Sequence, residues 1–478
     1  MWKPPDRIKH ETNTGSWPSQ TKAAKSLLFS PLQTGNLSLA QRSWIPAMVP
    51  WRATLEGEVT DAVVEWYARF AMGKPGAIVI EATGIRDIAS GPLLRIGHDK
   101  YIEGLKRVVD AVHTASQGQT KIYIQLIDFL SMRRRPAKDK YFERFLKITE
   151  AHKEALGLTR EHDIRDALLA LDDEALETIL TQREFEAYQR GYRQRVTDTE
   201  FPHIAELPNI LPDLFADAAL RAKKAGFDGI ELHYAHAYTM ASFMSRINTR
   251  TDGYGGALEN RARLPLKVYH AVRKAVGDDY VIGCRMLADE CIEGGSDISD
   301  ALYFALVFAK AGMDFLSFSR GGKFEDAARP AKGQAVYPYT GRSGYECMPH
   351  FISDKSGPFG RNISPTASLR AHLRAEGFDT PIVVAGGIHG FSQAEAILQN
   401  EQADIIGMAR QTLADPDWFL KVKTGQGEKV RVCKYTNYCE GLDQKHKIVT
   451  CQLWDREQLD EDGVHKTPDG KRRMTAPI

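Results

Sequence analysis

The sequence predicts an α/β protein, a (β/α)8 TIM barrel, on three observations. Eight short apolar runs, several rich in β-branched residues, alternate with stretches of helical periodicity. The runs are apolar nearly throughout, as in parallel strands covered on both faces. Eight such units close into a barrel more naturally than they spread into an open doubly wound sheet.

Taken in order, the first strand is RSWIPAMV, ending near Val49, and a helix follows the N-cap Thr60 in TDAVVEWYARFAMGK. Strands are then expected at 76–83 (GAIVIEAT), 121–126 (KIYIQL), 228–233 (DGIELH), 280–286 (YVIGCRM), 314–319 (DFLSFS), 382–387 (IVVAGG) and 404–410 (DIIGMAR). Helices between them are expected at 101–116, 211–225, 257–276, 298–311, 365–376 and 391–399, with a short one near 416. Residues 1–25 are polar and Pro-containing, an N-terminal arm, and 26–424 form the barrel. Residues 133–205 interrupt it after the third strand with charged, helix-forming sequence opened by Arg133, Arg134 and Arg135. This insertion reads either as a solvated helical hairpin packed on the barrel wall or a partner, or as a lid over the catalytic face. Residues 425–478 form a polar extension, wrapped over the barrel or a neighbouring subunit, with a disordered tip.

Composition narrows the function classes. Over 478 residues the formal net charge is +1, so nothing pulls the chain toward nucleic acid or an anionic membrane. No apolar run reaches the roughly 18 residues of a membrane span. The N-terminus MWKPPDRIKHETNTGSW lacks the apolar core of a signal peptide, which leads us to expect a cytoplasmic protein. Six cysteines do not make a disulfide framework in a chain of this length.

The chemistry centres on GFDGIELHYAHAYTM, residues 226–240, where an apolar strand opens into protonatable side chains at the end where barrels mount catalysis. By themselves His233 and His236 are open to three readings: a structural pair, the start of a metal site, or catalytic donors. No HEXXH motif and no third ligand at a diagnostic spacing accompany them. Downstream, RTDGYGGALENRAR reads as a turn built on Gly253, Gly255 and Gly256 that feeds a helix near Leu258.

ELHYAHAY and RTDGYGGALENRAR together resemble the old yellow enzyme family of flavin mononucleotide (FMN)-dependent reductases, whose patterns run EIHxAHGY and RTDxYGGSxENRxRF. The resemblance spans roughly Leu27 to Lys423 outside the insertion, and it implies a non-covalently bound FMN reduced by NADH or NADPH. It assigns His233 and His236 as hydrogen-bond donors to an acceptor oxygen and Tyr238 as the proton donor. Arg285 would face the flavin N1 and C2 carbonyl, and Gln125 the pyrimidine edge. Met48 and Ala82 would lie against the ring. Gly386, Gly387, Gly407 and Arg410 would hold the phosphate at the barrel's standard anion site after strands seven and eight. The substrate implied is a small molecule with an electron-poor alkene, an enone or enoyl thioester; homo-oligomerisation is left open. The alternatives are a flavin-dependent amine dehydrogenase or demethylase, a metal-dependent hydrolase using the two histidines, and a non-catalytic flavin binder.

Three features depart from the pattern. Val49 stands where the family usually places Thr or Cys, so no hydroxyl or thiol reaches the flavin there. Asp128 replaces the usual His after QL and is expected to put a carboxylate in the pocket wall. Cys433, Cys439 and Cys451 resemble the four-cysteine iron–sulfur motif of the dienoyl-CoA reductase and trimethylamine dehydrogenase branch. Thr436 occupies its second ligand position, which argues against a cluster. No GxGxxG is present.

Overall fold

Eight parallel strands register edge to edge around a closed barrel in the computed structural model, which describes residues 10–292, 294–321, 332, 333, 355, 357–443 and 445–478. They are β1 (Ser43–Ile45), β2 (Ala77–Gly84), β3 (Lys121–Ile127), β4 (Gly229–Tyr234), β5 (Val281–Asp289), β6 (Phe315–Arg320), β7 (Ile382–Ala385) and β8 (Ile405–Gly407). Pairing of Ile406 with Ser43 and Gly407 with Trp44 closes the ring. The expected (β/α)8 architecture is present. β1 is shorter than expected, because Pro46 lacks the N–H that would extend the ladder.

The outer helices are α1 (Asp61–Met72), α2 (Ile102–Ser116), α3 (Leu207–Ala225), α4 (Leu258–Val276), α5 (Ile298–Ala311), α6 (Ile363–Ala375), α7 (Phe391–Gln399) and α8 (Trp418–Lys423). Thr60 caps α1 as expected, its hydroxyl accepting from Val63 N. α3 begins a turn earlier than its pattern suggests and runs through Pro212. A proline there removes the N–H that would bond the Pro208 carbonyl. Lys267 Nζ donates to that carbonyl instead, at 3.1 Å, so no acceptor is stranded.

The barrel interior is filled at its N-terminal end. Trp44 meets Tyr123 and Phe315 at ring-centroid distances of 5.1 and 5.0 Å. Gly229 and Gly283 make room for them: a Cβ would come within 2.9 Å of the Tyr123 ring at 229 and 2.4 Å of the Phe315 ring at 283. A hairpin of Leu32–Thr34 and Leu37–Leu39, absent from the sequence expectation, adds Leu32, Leu37 and Leu39 to this cluster and plugs the base. This plug fills the N-terminal end of the barrel.

The insertion is not a hairpin. Helices Glu150–Leu156, Glu161–Ala170, Asp173–Ile179 and Gln182–Arg190 enclose a small core of their own, including Phe142, Ile164, Leu168, Leu176 and Tyr188. The charged sequence misleads because its apolar residues are divided among short helices, restarted at the N-caps Asp172 and Thr181. Buried Arg250, from RTDGYGG, straps the insertion down by donating to the carbonyls of Val196 (2.6 Å), Ile204 and Ala205 (both 3.2 Å).

The extension does wrap the barrel, but its tip is not disordered. Arg69 bridges Asp417 and the carbonyls of Ala476 (3.0 Å) and Pro477 (2.8 Å), and Ala476 is buried. Residues 1–9 of the arm lie outside the described residues. From His10 onward the arm is anchored, with the Thr12 hydroxyl on Cys433 O at 2.8 Å and Trp17 against Trp418. No described helix is long and apolar enough to cross a membrane.

Candidate active site

The strand ends and the loops after them bring the residues to which the resemblance assigns a catalytic or FMN-binding role to one cavity of about 380 Å³. Met48 and Val49 arrive just past β1, Ala82 from β2, Gln125 from β3 and His233 from β4. His236 and Tyr238 follow in the loop, and Arg285 comes from β5. Gly386 and Gly387 follow β7, while Gly407 ends β8 and Arg410 starts the next helix.

A polar layer forms the floor above the aromatic plug. Gln125 Nε2 donates to Glu231 Oε1 at 2.5 Å, and Arg285 Nη1 donates to Ser317 Oγ at 3.2 Å. Burial pushes the Glu231 carboxyl up while Arg285 holds it down. His233 Nε2 and His236 Nδ1 approach to 3.3 Å, and His236 Nε2 lies 2.8 Å from Ser319 Oγ. Burial, with Arg285 beside it, takes His233 down to about 3. Burial, His233 and Arg285 push His236 well below the ordinary range. Both rings are thus neutral at physiological pH and present N–H donors rather than charges. Burial and the nearby Asp443 hold the Tyr238 phenol protonated far above its usual titration. The Tyr238 ring stands edge-on between His233 and Phe129, with centroids 5.3 Å from each.

The loop that carries these groups is bent by two left-handed residues, His236 (φ 59°) and Ala237 (φ 58°). The family pattern has Gly at the second, and the φ explains why. Ala237→Gly relieves about 1–2 kcal/mol of left-handed strain and costs about 0.4–1 kcal/mol through the freer unfolded chain. Urea denaturation should show a net gain of about 0.5 kcal/mol.

At the opposite end Gly386 (φ 134°) and Gly387 (φ 66°) turn the chain after β7. Arg361 and Asn362 join them in the wall, and Asn362 Nδ2 donates to Ala385 O at 2.7 Å. The Arg410 guanidinium lies 4.6 Å over the Tyr435 ring and donates to Asn437 Oδ1 at 3.0 Å. Two arginines and a glycine turn make this end cationic and rich in accessible backbone N–H.

Asp128 is corrected: it does not line the cavity. Its carboxylate is buried in a bidentate pair with Arg86, at 2.6 and 2.9 Å, and Thr239 donates to its carbonyl. Sequence reasoning also missed the extension's share of the wall, Tyr435, Cys439, Glu440 and Asp443. Glu440 Oε1 is buried with no hydrogen-bond partner among the described residues, and burial pushes its carboxyl up to about 7. Only the three cysteines hinted that the extension reaches the site. Cys433, Cys439 and Cys451 do gather: burial pushes Cys439 and Cys451 each up to about 12, and Cys433 lies close enough to add to both. Among the described residues no group of three or more His, Cys, Asp or Glu is placed to hold a metal ion.

The pattern of the NADH:flavin oxidoreductase / NADH oxidase family matches residues 205–429. The NADPH dehydrogenase of Halalkalibacterium halodurans is 36% identical over 398 residues, 82% of this chain and 92% of that protein. The chain belongs to this family, that of the old yellow enzymes. The NADH oxidase of Thermoanaerobacter brockii is 28% identical over 412 residues, 85% of this chain but 52% of that protein. The chain spans about half the length of this and several other relatives. A structure of 2-naphthoyl-CoA reductase with 2-naphthoyl-CoA shares the fold, with a TM-score of 0.66 at 20% identity, covering 89% of this chain and 56% of that one.

The family's cofactor, FMN, fits the residues present. The cavity offers an amide and a guanidinium on its floor, apolar Met48, Val49 and Ala82 on one wall, and a cationic glycine turn at one end. That set matches a flat polar ring carrying a phosphate tail.

Proposed function

We propose that the protein is an FMN-dependent ene-reductase, taking reducing equivalents from NADH or NADPH and saturating the activated C=C bond of an enone or enoyl thioester. The observation that carries this is the convergence of two neutral histidines and a protonated phenol on a cavity floored by Gln125 and Arg285. FMN, when bound, supplies the hydride that passes to the β-carbon of the alkene. Arg285 offsets negative charge at the floor. Gln125 orients a pyrimidine edge by its amide. The facing nitrogens of His233 and His236 converge on one place, where a carbonyl oxygen gaining charge takes both N–H groups and the barrier falls. Tyr238 then delivers its Oη proton to the α-carbon as general acid. Arg361, Arg410 and the Gly386–Gly387 turn hold the phosphate. A reducing, cytoplasmic setting belongs to this reading, supported by five described cysteines that are all free.

A second reading, oxidation of an amine, draws on one observation: Glu440 and Asp443 put two carboxylates in the cavity wall, where a cationic amine would be held. One measurement separates the two. Purified protein should release FMN on denaturation, bleach with NADPH or NADH in stopped flow, and regain colour with cyclohex-2-enone. Bleaching by secondary or tertiary amines, with no response to nicotinamides, would replace the first reading by the second.

A further inference from the structure

Tyr238 borders open space twice: it lines the cavity that fits FMN and also a second cavity, of about 540 Å³, whose far wall comes from the insertion. Phe129 and Thr239 line that second cavity beside it. A phenol set between two cavities is not locked by packing alone, so other contacts have to aim its Oη. Three neighbouring strand ends supply them. The β2–β3 ladder runs to its tip, with Gly84 paired to Ile127 and Ile85 N donating to Ile127 O at 3.0 Å. The next residue of each strand end then meets the other: Arg86 Nε and Nη2 donate to the two Asp128 carboxylate oxygens at 2.6 and 2.9 Å. Nη2 also donates to Phe129 O at 2.9 Å. From the β4 end, Thr239 donates its hydroxyl to Asp128 O at 3.1 Å, and the Tyr238 ring meets the Phe129 ring edge-on. Arg86 thus fixes residues 128 and 129, and these touch both Tyr238 and its neighbour Thr239. The Asp128 carboxylate is fully buried and Arg86 largely so, and a bidentate fork of this kind allows one orientation. Burial pushes the Asp128 carboxyl up, and Arg86 draws it down. Neither charged group is among the described residues that line the two cavities, so the pair acts on the site through geometry.

We propose that Arg86, Asp128 and Thr239 are positioning residues for the proton donor, holding the Tyr238 phenol in line with the α-carbon of the acceptor through Phe129 and the Asp128 carbonyl. The inference rests on the ene-reductase reading. It gives a task to Asp128, the carboxylate that departs from the family pattern: paired with Arg86, it anchors the segment against which the phenol is aimed. The three residues touch neither the acceptor nor the flavin, so they act on the proton-transfer step and leave binding and flavin reduction alone.

The test uses the FMN-loaded enzyme with cyclohex-2-enone as acceptor and ferricyanide as control oxidant, which takes electrons from the reduced enzyme without placing a proton on carbon. Asp128→Asn keeps the shape of the side chain and removes its charge. It should slow reoxidation by the enone about 10- to 100-fold, the effect of misplacing a reacting group by up to ~1 Å. Bleaching by NADPH, reoxidation by ferricyanide and binding of cyclohexanone, read from the flavin absorbance, should each stay within about twofold of the wild type, because none draws a proton from Tyr238. Thr239→Val removes one hydrogen bond and should slow the enone step about fivefold. Thr239→Ser keeps the hydroxyl and should restore it. The two Thr239 variants carry the test if Asp128→Asn fails to fold, and flavin content reports that failure. Enone reoxidation at the wild-type rate in Asp128→Asn and Thr239→Val, with Tyr238→Phe slow, overturns the positioning role alone. Equal slowing with the enone and with ferricyanide also overturns it, since the pair would then support the fold in general. Normal bleaching by NADPH and normal reoxidation by ferricyanide in the wild type, with no response to cyclohexenone, overturns the ene-reductase reading and the positioning role with it.

Discussion

Tyr238→Phe should slow reoxidation of the reduced enzyme by an enone on the order of 10²- to 10⁴-fold, the usual worth of a positioned general acid. Reduction by NADPH should stay within about twofold, because no proton from Tyr238 enters that half-reaction. The substitution keeps the ring that packs edge-on between His233 and Phe129, so the loop should hold its shape. Stopped-flow measurement of the two half-reactions separates these effects, and equal slowing of both would remove the proton-donor role. The pH profile adds a check. With His233 taken down to about 3 and the phenol held far above its ordinary range, neither titrates between roughly pH 5 and 9. A transition near neutrality in the oxidative half-reaction would belong to Glu440, whose carboxyl is pushed up to about 7, and Glu440→Gln should abolish it.

Gly387→Ala should cost about 3–5 kcal/mol of stability and strip FMN from the protein. The residue sits at φ 66°, and an added Cβ would lie 1.8 Å from the Pro358 carbonyl oxygen and 2.7 Å from its carbon. That neighbour is backbone, so no side chain can swing aside. Relief requires moving the turn that carries Arg361 and Asn362, two residues of the cavity's cationic end. Gly256→Ala is the control: its φ of 75° is also left-handed, yet nothing lies within 4 Å of the new Cβ. It should cost only the backbone penalty of about 1–2 kcal/mol and leave FMN bound. Guanidinium unfolding and FMN content after gel filtration measure both. If Gly387→Ala keeps its flavin and loses less than about 1 kcal/mol, the tight approach to Pro358 does not shape the site.

Gly387 also illustrates how sequence and structure divide the explanation. Its place after the seventh strand suggested phosphate binding, and it does line the cavity's cationic end. The strictest demand for glycine, however, comes from the protein's own backbone at Pro358, which no local pattern announces. Asp128 misled for the same reason. Its partner Arg86 lies in a different βα loop, so a carboxylate expected in the pocket is spent on a buried pair. The insertion's core escaped notice because Phe142, Ile164, Leu176 and Tyr188 are spread over short helices, each of which buries no more than two apolar residues.

The order of strands and helices, the strand end that bears His233 and the turn at Gly253–Gly256 were determined by the sequence alone. They depend on periodicity and backbone preferences within a few residues, and barrel closure then follows from the count of units. Only the tertiary structure decided that Tyr435, Glu440 and Asp443 complete the flavin cavity and that Tyr238 stands between two chambers. Those relations join residues far apart in the chain, and they are set by side-chain packing and charge pairing that appear only once the barrel has closed.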